Sequence, residues 1–314
     1  MRQNIILGAS PLTYSEYESI AKGDATIALD AAAADRIRNS RSFLEERTKT
    51  RKTPIYGINT GFGALCNVVV DNDDLGRLQT NLVRSHACGA GAAVGQHIVR
   101  LMMALKVQSF AVGVSGIRLE VVEQIIAMYN SGAVPVIYEL GSLGASGDLA
   151  PLAHMSLPLL GEGEVYLNDE RIPTSKALQV LGNSAWRRLE LASKEGLALL
   201  NGTQFMSAHG IHALIQARRI DYLADQLAAL STLAYDGRIE PFTPGVHLTR
   251  PHRGQLLTAE RMLQWLEPCD AMHREKEHVQ DPYSFRCVPQ VHGSRRPTTS
   301  STLTTRWRRP SPGC

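Results

Sequence analysis

The amino-acid sequence predicts a mainly α-helical protein of about two domains. Apolar residues recur at helical spacing along most of the chain, strand signals are few, and 314 residues at roughly 150 per domain give the domain number. The first helix is expected over Thr26–Lys49, where alanines with Ile27, Leu29, Ile37, Phe43 and Leu44 alternate with charged residues. A second follows Asp73-Asp74, a capping pair, through Leu75, Leu78, Leu82 and Val83. Further helices are expected at Val94–Val112, Ile117–Asn130 and Leu189–Leu200. The longest covers Met206–Leu233, with Ile211, Leu214, Ile215, Ile220, Leu223, Leu227 and Leu230 at helical spacing. One strand is expected at Val134–Tyr138, and a hairpin at Val165–Leu167 and Arg171-Ile172 around Asn168-Asp169-Glu170. No internal repeat is present.

Composition excludes several classes. Hydrophobic residues make up 44% and charged residues 20%, which are globular values and rule out a disordered or collagen-like chain. A net charge of +3 is too weak to argue for nucleic acid or an anionic membrane as partner. The five cysteines, Cys66, Cys88, Cys269, Cys287 and Cys314, form no CxxC pair, against a disulfide framework or thiolate zinc site. The N-terminus has too short an apolar run for a signal peptide. The most apolar stretch, Val94–Val114, is interrupted by Gln96, His97, Arg100, Lys106 and Gln108, against a membrane span. A cytoplasmic location is the expectation.

Two glycine-rich loops stand out, Tyr56-Gly-Ile-Asn-Thr-Gly-Phe-Gly63 and Gly141-Ser-Leu-Gly-Ala-Ser-Gly-Asp148. Such density means connecting turns, positive φ or close backbone approach. Gly144-Ala-Ser-Gly-Asp148 misses the GxSxG nucleophile elbow because aspartate stands at 148. Gly89-Ala-Gly91-Ala-Ala-Val-Gly95 misses GxGxxG by one position and follows a helix. There is no P-loop and no HExxH, and the ten histidines have no carboxylate at metal-ligand spacing.

Ala145-Ser146-Gly147 followed by Asp148 resembles the signature of the histidine/phenylalanine/tyrosine ammonia-lyase and aminomutase family, whose Ala-Ser-Gly triplet cyclises into 4-methylidene-imidazol-5-one (MIO). The resemblance covers about residues 1–293. It includes Tyr56-Gly-Ile-Asn-Thr-Gly-Phe-Gly63, Asn81-Leu-Val-Arg-Ser-His86, Gly144-Ala-Ser-Gly-Asp-Leu-Ala-Pro151, Leu200-Asn-Gly-Thr-Gln204 and Gln280-Asp-Pro-Tyr-Ser-Phe-Arg286, five blocks in the family's order. It implies an ammonia-lyase-like helical bundle with a small mixed N-terminal domain, 1–190, bearing the MIO loop. Residues 191–293 would form the first part of the bundle, which is incomplete in this chain, and 294–314 a basic tail.

Cyclisation requires the Gly147 amide nitrogen to reach the Ala145 carbonyl carbon, a fold that small side chains permit. Loss of water then turns Ser146 into an electrophile that no unmodified side chain supplies. Asp148 and Pro151 read as a helix start whose positive end would favour negative charge nearby. The resemblance implies elimination of ammonia from an α-amino acid, with covalent help from the electrophile of Ala145, Ser146 and Gly147. It assigns Tyr56 as the base for the β-proton and Arg286 as the partner of the substrate carboxylate. Asn201 would contact substrate and ring, His86 would set side-chain selectivity, and Gln204, Gln280 and Tyr283 would orient ligand. No metal and no diffusible cofactor is implied.

The Asn201–Gln204 and Gln280–Tyr283 blocks look more like histidine ammonia-lyases than the other members, so L-histidine going to urocanate is the expected reaction and a homotetramer the expected assembly. A tyrosine or phenylalanine lyase, an aminomutase, a non-catalytic helical scaffold and, remotely, a serine hydrolase using Ser146 are the alternatives.

Ser294–Cys314 contains five arginines (295, 296, 306, 308, 309) and no acidic residue, so it carries +5 and leaves −2 on the 293 residues before it. It reads as a disordered basic tail or as out-of-frame translation, the latter favoured because the family pattern stops in mid-helix beside Gly293. An unpartnered Met206–Leu233 stripe and an inactive or poorly folded polypeptide are then expected.

Overall fold

The structure, a computed structural model, describes residues 2–50, 54–62, 67–71, 74–184 and 186–294. Gly63, Cys66, Asp73 and the arginine-rich segment from Arg295 lie outside the described residues. The chain divides into two compact units, Met1–Ala213 and Leu214–Cys314, with the boundary inside one long helix.

The first unit opens with β1 (Gln3–Leu7), which passes through α1 (Tyr14–Lys22) to a parallel partner, β2 (Ala25–Leu29), in register from Gln3↔Ala25 to Leu7↔Leu29. A capping box starts α1: the Thr13 hydroxyl accepts from Glu16 N–H, and the Glu16 carboxylate accepts from Thr13 N–H at 2.7 Å. Strand β2 corrects the helix expected from Thr26. Ala25 and Ile27 are buried alternately beside Ile5 and Leu7, a period of two that the following alanine run conceals. Helix begins only at α2 (Ala31–Thr50), where Asp30 Oδ2 accepts from Ala33 N–H at 3.0 Å.

After Asp74 comes α3 (Leu75–His86), where a helix is expected, but the Asp74 carboxylate pairs with Arg77 at 3.1 Å and does not cap it. β3 (Ala90–Ala93) leads into α4 (Gln96–Phe110), whose Ile98, Val99, Leu101, Met102, Met103, Val107 and Phe110 are all buried. A helix apolar on nearly every face belongs in a core, and α4 packs against α1 and α5 (Leu119–Asn130). Among the described residues no helix is long and apolar enough to cross a membrane.

Val134–Tyr138 is two strands and not the single one expected. β4 (Val134–Pro135) joins a three-stranded sheet, while β5 (Tyr138–Leu140) pairs antiparallel with β3. Pro135 has no N–H to extend a ladder. The partners of β4 are the expected hairpin, β6 (Glu164–Leu167) and β7 (Glu170–Pro173). Its turn residues Asn168 and Asp169 have φ of 51° and 65°, the pair of left-handed residues that a two-residue hairpin turn needs. Between β5 and β6 lies α6 (Leu149–Ser156). α7 (Thr174–Leu181) follows the hairpin, and then α8 (Glu195–Leu200). The helix expected from Leu189 starts six residues later because Lys194 takes φ 70° and the buried Glu195 carboxylate is held by Arg118 Nη2 and Ala192 N–H, both at 2.7 Å.

The boundary helix α9 (Gln204–Ala234) agrees closely with the expected Met206–Leu233. Its Leu214, Ile220, Leu223, Leu227 and Leu230 are exposed. The second unit continues with α10 (Pro244–Leu248), α11 (Arg253–Leu266), α12 (Tyr283–Arg286) and α13 (Val288–Ser294). Ala229, Phe242, Met262, Leu266, Met272 and Val288 form its core. Buried Asp225 is held by Arg261 and His292, each at 2.9 Å. Where α11 meets α13, a Cβ placed on Gly254 would lie 2.0 Å from the Gly293 carbonyl oxygen, so the two backbones touch directly.

Candidate functional site

The loop 141–148 joins β5 to α6. Its backbone folds back on itself, with bridges Gly144↔Gly147 and Ala145↔Gly147, and the Gly147 N–H points to Gly144 O at 3.4 Å. Gly147 has φ +97°, and a Cβ there would meet the Gly202 carbonyl oxygen at 2.3 Å. Both facts require glycine at 147. Ala145 and Ser146 are exposed. The donor and acceptor of the expected ring closure are therefore small residues on a tightly reversed backbone, which fits the MIO group.

Against this loop lies the segment that leaves α8. Gly147 bridges to Gly202, and the Asp148 N–H donates to Gly202 O at 2.8 Å. Asn201, at the C-terminus of α8, donates from Nδ2 to Leu197 O at 3.0 Å, while its own carbonyl accepts from Lys106 Nζ at 2.8 Å. Gln204, the first residue of α9, has a buried Oε1 with no hydrogen-bond partner among the described residues. Asp148 departs from expectation. It precedes α6, but its side chain does not cap that helix; Oδ2 accepts from Met206 N–H at 3.0 Å, in the first turn of α9.

Tyr56 is 56% exposed and packs edge-on to Phe62, ring centroids 6.1 Å apart. Its loop is fixed from within by Asn59 Oδ1, which accepts from Ile55 N–H at 2.6 Å, and by Ser193 Oγ, which donates to Ile58 O at 2.7 Å. A Cβ on Gly57 would strike Leu197 of α8 at 2.2 Å, so this loop sits on the helix that delivers Asn201. His86 closes α3. Its Nδ1 lies 2.8 Å from Leu82 O, an acceptor only, which makes Nδ1 the protonated nitrogen and leaves Nε2 available. Three residues on, Gly89 N–H donates to His154 Nε2 at 2.9 Å; burial holds the His154 pKa below the ordinary histidine value.

Gln280, Tyr283 and Arg286 lie in the second unit. Asp281 anchors their block: its buried carboxylate accepts from Arg238 N–H at 2.8 Å and meets His278 Nε2 at 2.6 Å. Gln280 is exposed and Tyr283 is 73% exposed. The Arg286 guanidinium stacks 4.3 Å from the Tyr283 ring centroid, and its buried Nε has no hydrogen-bond partner among the described residues.

The structure thus joins the 145–147 triplet to Asn201 and Gln204 through Gly202, and separately joins Tyr283 to Arg286. Lys106 and the Asp148 carboxylate were not expected here. A lysine within the most apolar stretch of the chain was the available signal for the first; nothing in the local sequence signals the second.

Comparison with known proteins finds the same fold and family. The family described as aromatic amino acid lyase matches residues 12–305, running past Gly293 where the resemblance was expected to end. Histidine ammonia-lyase of Caldanaerobacter subterraneus subsp. tengcongensis is 41% identical over 299 residues, 95% of this chain and 58% of that protein. The crystal structure of histidine ammonia-lyase from Trypanosoma cruzi aligns with TM-score 0.79 at 38% identity, covering 93% of this chain and 53% of the other. That of tyrosine aminomutase from Streptomyces globisporus aligns with TM-score 0.80 at 32% identity, covering 93% and 58%. The chain spans little more than half the length of each of these relatives. Fold, motif order and identity lead to one assignment: this chain belongs to the aromatic amino acid lyase family.

Proposed function

We propose that this chain carries the electrophile-forming part of a histidine ammonia-lyase, which eliminates ammonia from L-histidine to give urocanate. The observation that carries the reading is the reversed backbone at Ala145–Gly147, seated on Gly202 with a positive-φ glycine at its closing position. The name histidine ammonia-lyase on the relatives at about 41% identity supports the substrate. When formed, the MIO group supplies an electrophile for the substrate amine.

The other roles belong to the chain's own side chains. Arg286, stacked on Tyr283, binds the substrate carboxylate through its guanidinium. His86 presents Nε2 to an imidazole or phenol, Tyr56 takes the β-proton, and Asn201 and Gln204 orient the amino acid. Gln280 and Tyr283 complete the binding residues. The whole enzyme is proposed to be a cytoplasmic homotetramer, as the resemblance implies. A tyrosine aminomutase is the second reading, favoured by the alignment to that structure at TM-score 0.80.

One experiment separates the readings. The peptide spanning 141–148 is weighed after digestion, and the purified protein is offered histidine, tyrosine and phenylalanine in turn. A peptide lighter by two waters is the expected result, with urocanate from histidine alone in an enzyme of the relatives' full length and little or none from the 314-residue chain. An intact triplet favours a non-catalytic fragment, and a β-amino acid from tyrosine favours the aminomutase.

A further inference from the structure

Lys106 sits in the middle of α4, 1% exposed, among Met102, Met103, Val107 and Phe110. Among the described residues its Nζ makes one hydrogen bond, to Asn201 O at 2.8 Å, and lies 4.9 Å from the Phe110 ring centroid. No carboxylate among the described residues pairs with it. Burial lowers its pKa to about 7, so the fold holds this amine under a desolvation penalty. A methionine or leucine would fill the same core without that penalty. The group it serves is specific: Asn201 ends α8, its carbonyl is one of those left open at a helix C-terminus, and the next residue, Gly202, supports both Gly147 and the Asp148 N–H.

We propose that Lys106 is a positioning residue, an amine tether that holds the Asn201–Gly202 backbone against the Ala145–Gly147 loop so that the loop can close and the Asn201 side chain keeps its orientation. The consequence for ring closure rests on the proposed function above; the tether itself does not. If Lys106 no longer donates, the carbonyl of exposed Asn201 loses its anchor to the buried side of α4, and the 201–203 segment is free to shift. The platform under Gly147 then shifts with it. Lys106 touches neither substrate nor the reacting atoms and acts only through Asn201 and Gly202.

The test compares the full 314-residue chain with Lys106→Met, which fills the space without a donor, and Lys106→Arg, which keeps one. Amide hydrogen exchange is followed in peptides covering 144–149, 201–206 and α5, and the 141–148 peptide is weighed in each protein. In Lys106→Met, exchange is expected to rise about tenfold in the first two segments, with α5 unchanged, as the Lys106–Asn201 hydrogen bond is lost. The triplet peptide is expected to retain its waters there and to lose both again in Lys106→Arg. Unchanged exchange at 201–206 in Lys106→Met overturns the tether, as does an equal rise in α5. A wild-type triplet that keeps both waters defeats the proposed function instead, and the exchange comparison still decides the role of Lys106.

Discussion

The carboxylate of Asp148 stands directly before α6 yet accepts from the Met206 N–H in the first turn of α9, so one residue ties the start of one helix to the start of another. Asp148→Ala is expected to lower stability by about 1–2 kcal/mol, the range of a lost helix cap, read as a shift in the urea midpoint. Gly147→Ala tests a different constraint. The new methyl meets the Gly202 carbonyl at 2.3 Å, a backbone atom that cannot swing aside, and φ +97° adds strain. A stability loss of about 1–3 kcal/mol is expected, together with a 141–148 peptide that keeps its waters in the mass spectrum. At this scale the triplet was legible because its chemistry dictates residue types: only small side chains allow the fold-back. Asp148 was legible as a helix-start residue and misassigned to its own helix, since a through-space partner 58 positions away leaves no local pattern.

Elements follow a sustained apolar period along a long segment, whether or not that face is covered, which is why α4, α5 and α9 match expectation to within a few residues. The failures share a cause. Ala25–Leu29 is short and runs into four alanines, strong helix formers that extend the helical reading back over it; only pairing with Gln3–Leu7 decides. Val134–Tyr138 has strand composition throughout, and its division depends on two different partners that no local sequence names. Element contacts also set a pH response. Burial lowers the pKa of His154, and burial followed by the neighbouring His212 lowers those of His97 and His209. A histidine whose folded pKa lies below its unfolded value stabilises the native state fully above that unfolded value, 6.5. The contribution is lost as pH falls through the folded value, because the unfolded chain takes up the proton first. The thermal midpoint is therefore expected to fall between pH 7 and pH 5. His154→Gln, which keeps an acceptor for Gly89 N–H but cannot titrate, is expected to flatten part of that slope; an identical slope in the variant excludes His154 as a source.

For the whole molecule the dominant feature is the exposed row Ile220, Leu223, Leu227 and Leu230 on α9. Their three- and four-residue spacing puts them on one face, and a contiguous apolar face of this kind drives association in water. The 314-residue chain is expected to self-associate, seen as concentration-dependent light scattering. The double variant Leu223→Lys/Leu227→Lys is expected to scatter less at equal concentration, because each ammonium repels its copies and breaks the row. This stripe was fully legible, since periodicity reports apolar faces without regard to what covers them. Family membership was legible too, because five blocks in order constrain a chain more tightly than any one motif.

The bare crossing of α11 over α13 makes the second unit vulnerable to the smallest possible change. A single methyl group at Gly254 is a wedge: with the opposing carbonyl 2.0 Å away, α13 must lift off α11, and Val288 must withdraw from Met262 and Leu266 as it goes. A substitution that adds neither charge nor polarity can therefore undo a hydrophobic seam from its edge.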